Sequence, residues 1–521
     1  MRSGSWRRNF QLAANIVHLG LTTAGALVSL PIKLNRNSDI ELRRQLYHEI
    51  RRLIGAKKLR AGMKLPSSRD LAEQLGVSRK TVKEAYSQLL TEGFLESSPR
   101  SGTFVAGGVQ GTEPPRSAQK SEPSGHSPTL ARLSAYGNRM AQPGAGSGEA
   151  SGADISFFSW QPSFNTNAHG QWQTIFLAEL KRAMNSVGEL ASHPFGLTSL
   201  REQIAQWVER NREIKCSADQ VALVAGYGPA LDLVARLHTS SGDTVLVEDP
   251  TYPPSRDLFA SYGAELIPIA VDQQGIEANR IIYGPWSTSS KILVVTPAHQ
   301  FPAGCVLTMQ RRVDLLRWAN EVGCLIVEDD YDSEFNFDGQ PVPALTALDT
   351  SGCTVYLGSF KKILPATVSI DFMIIPEALV PVYAQAMWFS GAQISLAVQS
   401  ALAEFIRSGH LDKQVRRSRT AYRRRRDVLL AALNNHLGAN VQVVADNVGL
   451  HVVIRVVSDM SDTEFTARAA AAGVELVSTR SFYAVDPGDT KEYILGYATL
   501  SATEIEEGVS RLAALLKQET P

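Results

Sequence analysis

At 521 residues the chain is too long for one ordinary domain and ample for a large core, and 44% apolar content is normal for a soluble globular protein. Formal net charge is zero, but residues 1–110 hold 18 Lys and Arg against 8 Asp and Glu, so a basic end is joined to an acidic remainder. That asymmetry points to a polyanion partner at the N-terminal end. The four cysteines, Cys216, Cys305, Cys324 and Cys353, are scattered without metal-ligand spacing, which fits a reducing cytoplasm; no metal site and no internal repeat are expected.

Residues 1–33 form a tail. Met1 to Arg8 is basic and Phe10 to Leu30 is moderately apolar, but Gln11, Asn15 and His18 interrupt the apolar run and no small-residue cleavage site stands out. The stretch reads as a floppy or partly helical segment rather than a signal peptide or membrane helix.

Residues 34–106 become regular. Ile40, Leu42, Leu46, Ile50, Leu53 and Ile54 mark one face of a helix. Ser67 or Ser68 caps a short second helix, and Leu75-Gly76-Val77-Ser78 is a tight turn with Gly at the helix end and Ser as the next cap. Val82, Ala85, Tyr86, Leu89 and Leu90 give a further helix its core face. Gly93–Glu96 and Gly102–Val105 then read as a small hairpin. The whole is an α+β winged helix-turn-helix, with Ser78, Arg79, Lys80, Thr81 and Lys83 leading into a DNA major groove. Arg69 and Arg100 are expected on phosphates, which position rather than specify. The bland alternative is a solvated basic face on a structural helical pair.

Residues 107–152 are dominated by Gly, Pro, Ser and Ala and bury too little apolar area to order themselves. They read as a flexible linker, spanning about 35–40 Å as a coil.

From residue 153 to 517 strands and helices alternate. Val221–Val224 is followed by Ala225-Gly226-Tyr227-Gly228-Pro229 and a helix from Ala230 to Leu237, a pattern that can cradle an anion on backbone N–H groups. Thr244–Val247 precedes Tyr252, an aromatic able to stack on a flat ring. Lys291–Val295 leads to Thr296–Gly304, a polar loop that contains His299. Cys324–Val327 carries Glu328, Asp329, Asp330 and Tyr331 at its C-terminal end, and Thr354–Leu357 carries Gly358, Ser359, Lys361 and Lys362. These groups collect at the C-terminal edge of one sheet, where open α/β sheets bind ligands. A lysine amine there can form a Schiff base with a carbonyl cofactor, and a carboxylate can keep a pyridinium nitrogen protonated. An ordinary Asp329–Lys362 ion pair is the competing account. The run Arg416–Arg426 reads as a solvated helix face, with a secondary DNA contact as the rival.

The N-terminal segment resembles the winged helix of the GntR superfamily at Leu65–Arg69, Gly76–Arg79 and Ala85-Tyr86. The body resembles fold-type I pyridoxal-phosphate enzymes, the aspartate aminotransferase fold with large and small subdomains. Together they look like the MocR family, whose marks here are Pro194-Phe195-Gly196, Glu248–Tyr252, His299–Pro302, Glu328–Phe335, Gly358-Ser359-Phe360 before the lysines, and Gly449-Leu450-His451. The resemblance implies pyridoxal 5'-phosphate, with Lys362 carrying the internal aldimine, Asp329 on the pyridinium nitrogen, Tyr331 at the ring hydroxyl and Tyr252 against the ring. Gly226, Tyr227, Gly228, Ser359 and His299 complete the expected cofactor set. The 33 residues between Asp329 and Lys362 suit the family and select Lys362 over Lys361.

The departures are equally specific. Lys361 stands where the family has serine, Ser369 where an arginine meets the cofactor phosphate, and Asp371 where a glycine follows. Gly228 and Pro229 replace glutamines, and Ile494 replaces the arginine that clamps a substrate carboxylate, unless Arg480 or Arg256 substitutes. Lys361 could replace part of the missing interaction with phosphate, but neighbours in a strand face opposite ways, so it need not face the pocket. The implied function is a cytoplasmic bacterial transcriptional regulator, nucleoid-associated when bound to operator DNA. It would be a homodimer without membrane contact, sensing an amino compound or the cofactor. The rivals are a functional aminotransferase with a DNA-binding appendage and a degenerate regulator that no longer holds the cofactor covalently. Residual transaminase activity is compatible with the first reading.

Overall fold

Leu42–Gly55 is helical because Leu46, Tyr47, Ile50, Leu53 and Ile54 recur at helical spacing and are all buried. Ile40, expected on that face, lies before the helix and is exposed. Ser67 caps Ser68–Leu75 by accepting the Asp70 N–H, and the helix stops at Gly76, whose φ of 61° is left-handed. Arg79–Thr91 follows, with Val82, Ala85, Tyr86 and Leu89 packed inward. Leu95–Ser98 and Gly102–Val105 pair antiparallel as the wing. The Tyr86 hydroxyl donates to the Pro66 carbonyl at 3.0 Å and ties the third helix to the approach of the second.

The computed structural model describes residues 30–99, 101–107, 133–141, 152–158, 166–185, 193–337, 343–365, 367–391, 394–446 and 449–517. Most of the expected tail and linker, and Arg100, fall outside the described residues. Within the stretch read as linker, Ala135–Met140 is a short helix capped by Ser134, and Arg139 donates to the Ser261 carbonyl at 2.6 Å. The chain divides into two units, residues 1–128 and 129–521.

The second unit is built on an eight-stranded sheet. Its order is Val221–Val224, Asp371–Ile374, Thr354–Ser359, Leu325–Asp330, Ser290–Val295, Thr244–Asp249, Glu265–Asp272 and Gly275–Ile276. The five strands from Thr354–Ser359 to Glu265–Asp272 are mutually parallel, and Asp371–Ile374 runs antiparallel to both its neighbours. The apolar strands are covered on both faces. Val245, Val247, Ile292 and Val294 enter one core, whereas Leu246, Leu293 and Val295 enter the other, as alternation along a strand requires.

A smaller antiparallel sheet joins Val441–Ala445, His451–Val456, Glu492–Gly496 and Val477–Ser478. It packs with Ala502–Lys517 and the 27-residue helix His410–His436 in a shared core. The arginine run lies on that long helix. Ser418, Tyr422 and Arg426 turn inward, Arg419 and Arg425 donate to the carbonyls of Glu334 and Ala498, and Arg416, Arg417, Arg423 and Arg424 are exposed. Among the described residues, no helix is long and apolar enough to cross a membrane.

Candidate functional site

The parallel strands end together, and their C-terminal residues line a pocket of about 370 Å³. Tyr227, Gly228, Tyr252, Asp329, Tyr331, Ser359 and Lys362, seven of the nine residues expected at a cofactor, are on its wall. Gly226 caps the adjoining helix, which begins at Tyr227 rather than Ala230. The turn closes earlier because Gly226, at φ 146°, can adopt a backbone that a side chain resists. His299 lies one layer behind. Its Nδ1 is 2.9 Å from Asp332 and 2.8 Å from the Tyr331 hydroxyl, and its ring stacks between Tyr331 and His451.

Alternation places the acids. Asp329 and Tyr331 face the pocket, while Asp330 points the other way, to Arg212 and the Tyr356 hydroxyl. Burial first, and then the charge of Asp330, push the Asp329 carboxyl well above the usual range, opposed by a hydrogen bond from Tyr227. The Tyr227 hydroxyl also meets Ser255 Oγ at 2.8 Å. Glu248 accepts both the N–H and the hydroxyl of Thr296, and burial lifts its carboxyl to about 7. Burial brings the Lys362 amine down to about 8; Asp332 opposes that shift and Lys361 adds to it. A lysine so placed gives up its proton far more readily than a free lysine, and the neutral, nucleophilic amine becomes the main form above about pH 8. Tyr252 remains 44% exposed at the mouth, with its ring centroid 6.1 Å from that of Phe301.

Lys361 also lines this pocket. Alternation leaves its direction open because the strand stops at Ser359, and both lysines lie in the turn beyond. Its ammonium is 3.4 Å from Asp371, whose other oxygen accepts the Ser359 hydroxyl at 2.8 Å. Arg480 is engaged by Asp486 and Asp489, and Arg256 by Asp257 and the Tyr483 carbonyl. Neither lines the pocket. Phe301 on the wall is backed by Phe482 and Ile494, so the position expected to clamp a carboxylate is apolar.

These residues fit a phosphorylated pyridine aldehyde. They offer a lysine whose proton is loosened by burial, a carboxylate recessed beside a tyrosine, an aromatic mouth, and a cation against a helix N-terminus where a Cβ on Gly226 would come within 2.8 Å of Lys361 Nζ.

In the first unit, Arg69, Arg79, Lys80 and Lys83 are exposed. Ser78 and Thr81 are occupied with the cap: Ser78 Oγ accepts the Thr81 N–H, and the two hydroxyls meet. Lys83, Ser67 and Ser68 share a groove with Ser101, Thr103 and Lys64. The sequence reading missed Lys64; its signal is a charge paired in register with the wing, across from Phe104.

The fold and site define a winged-helix regulator joined to an aminotransferase-like body. Residues 42–105 match the bacterial regulatory proteins of the gntR family, and residues 161–512 match aminotransferase class I and II. The chain belongs to the MocR family of GntR-type transcriptional regulators. It is 34% identical over 490 residues to the probable rhizopine catabolism regulatory protein MocR of Rhizobium meliloti, covering 92% of this chain and 94% of that one. It is 32% identical over 491 residues to the uncharacterized HTH-type transcriptional regulator YdeL of Bacillus subtilis, covering 93% and 98%. Among solved structures, Pyrococcus horikoshii kynurenine aminotransferase in complex with PMP is similar at a TM-score of 0.64 and 26% identity, over 70% of this chain and 91% of that one.

Proposed function

We propose that this protein is a DNA-binding transcriptional regulator whose body holds pyridoxal 5'-phosphate at Lys362 and responds to an amino compound or to the cofactor itself. The observation that carries this reading is one pocket containing the Lys362 amine, brought down to about 8, and the raised Asp329 carboxyl, in a chain that also presents Arg79, Lys80 and Lys83 on a winged helix. When bound, the cofactor supplies a carbonyl that an amine can take and a ring that withdraws electrons. Lys362 provides the amine. Asp329, which Tyr227 supports with a hydrogen bond, would hold a proton at the ring nitrogen. Tyr331, hydrogen-bonded to His299, and Tyr252 at the mouth would hold the ring.

The apolar wall of Phe301, Phe482 and Ile494, with Arg480 and Arg256 committed elsewhere, favours sensing over turnover of ordinary amino acids. A homodimer in the cytoplasm, with paired heads on paired half-sites, is the arrangement in which ligand at the body biases DNA binding. The test is visible absorbance on adding pyridoxal 5'-phosphate, beside Lys362→Ala, with operator binding followed in parallel. A band present in the wild type and lost in Lys362→Ala supports the reading. No band at saturating cofactor refutes it, and steady turnover of amino donors would make the protein an enzyme instead.

A further inference from the structure

One wall of the pocket is aromatic. Phe301 lines it, with its ring centroid 5.3 Å from that of Phe482, 5.9 Å from Tyr331 and 6.1 Å from Tyr252, each pair close to edge-on. Ile494, 1% exposed, closes the cluster from behind. Phe482 is fixed there by its backbone, because its carbonyl accepts the Thr251 N–H at 3.0 Å. The two arginines of this region hold that same segment: Arg256 donates to the Tyr483 carbonyl at 3.0 Å, and Arg480 is gripped by Asp486 and Asp489. The ionisable groups on the pocket wall include the carboxylates Glu248, Asp329 and Asp371 and the two amines of Lys361 and Lys362. Lys361 faces Asp371 at 3.4 Å. Both wall amines therefore have work other than a ligand carboxylate, Lys361 at Asp371 and Lys362 at the cofactor carbonyl.

We propose that the compound sensed by this body is a primary amine that carries an apolar or aromatic group and no carboxylate, and that Phe301, backed by Phe482 and Ile494, selects it. The proposal rests on reading the pocket as the cofactor site. The ligand's amine is the group that the cofactor carbonyl takes, and the rest of the ligand lies on the wall. A carboxylate pressed against Phe301 would lose its water and gain no cation, which is the cost of burying an unpaired charge. It would also share the pocket with Glu248, Asp329 and Asp371, whose negative charges oppose it. An aromatic group in that place gains edge-to-face contacts with Phe301 and Tyr252. The pocket thus discriminates twice, by welcoming the apolar body and by penalising the acid.

The experiment loads the full chain with pyridoxal 5'-phosphate and titrates it with phenethylamine and with phenylalanine, which differ only in the carboxylate. Displacement of the visible band and calorimetry both read binding. The amine is expected to bind about tenfold or more tightly than the amino acid, and isoamylamine likewise more tightly than leucine. Ile494→Arg is expected to move the preference toward phenylalanine by about tenfold. Phe301→Ala, milder than a charge in a core position, tests the wall independently. It is expected to weaken phenethylamine about tenfold relative to methylamine, which has no apolar body to place. Phenylalanine binding as tightly as phenethylamine in the wild type overturns the proposal. So does an Ile494→Arg chain that folds yet keeps the full preference for the amine, or a Phe301→Ala chain that weakens phenethylamine and methylamine alike. If the wild type gives no band with pyridoxal 5'-phosphate, the cofactor reading fails by itself. Calorimetry of the unloaded chain with phenethylamine then decides the wall: binding weakened in Phe301→Ala supports it, and no binding in the wild type overturns it.

Discussion

The Ser78 hydroxyl accepts the Thr81 N–H at 3.0 Å, and its oxygen lies 2.8 Å from that of Thr81. Both side chains were expected on DNA, yet both close the first turn of the recognition helix. Ser78→Ala removes the cap and should cost about 1 kcal/mol of head stability. Amide hydrogen exchange along Arg79–Thr91 measures this. Faster exchange is the expected result, and unchanged exchange would show that the cap contributes nothing.

Arg79, Lys80 and Lys83 project from the same turn without serving the core. Arg79→Ala and Lys83→Ala should leave stability within about 0.5 kcal/mol. Each should reduce the steepness of log affinity against log salt by about one for every phosphate that is no longer neutralised. DNA binding at three or four salt concentrations checks it. A uniform fall in affinity with unaltered slope would mean that these side chains do not meet phosphates.

Lys362 should react with aldehyde in a pH-dependent way. Its amine is brought down to about 8 by burial, so below that pH the protonated, non-nucleophilic form dominates. The attachment rate should rise about tenfold per pH unit toward 8 and level off above it. Stopped-flow absorbance from pH 6 to 10 reads this. A rise continuing to pH 10 would show that burial does not depress the amine.

Arg212 Nε lies 2.7 Å from Asp330, and both are buried with Tyr356. Arg212→Leu would leave an unpaired carboxylate in the core and should destabilise the body by about 3–5 kcal/mol. Six of the seven tryptophans lie beyond residue 128, so urea unfolding followed by tryptophan fluorescence reports mainly on the body. A double variant, Arg212→Leu with Asp330→Leu, should recover much of the stability, because neither member of the pair is then left buried without the other.

Much of the architecture was legible because its causes are local. The caps at Ser67 and Ser78 and the glycine at 76 depend on residues within one turn. The body strands announce themselves as apolar runs because a parallel sheet is covered on both faces. The alternation that turns Asp329 toward the pocket and Asp330 away from it also follows from the strand alone. The same rule left Lys361 open, because that residue lies past the end of the strand at Ser359, where alternation no longer applies.

The amino-acid sequence by itself therefore determined the order of elements, since period and turn chemistry are properties of neighbouring residues, while Lys362 and Asp329 were singled out through the resemblance to the MocR family. Only the tertiary structure decided which groups partner which. It paired Lys361 with Asp371, Tyr331 with His299, and Arg212 with Asp330, and it backed the pocket wall with Ile494. Those partners are separated by between 10 and 118 positions along the chain, and such pairings are set by how strands and loops pack in space, which no local pattern encodes.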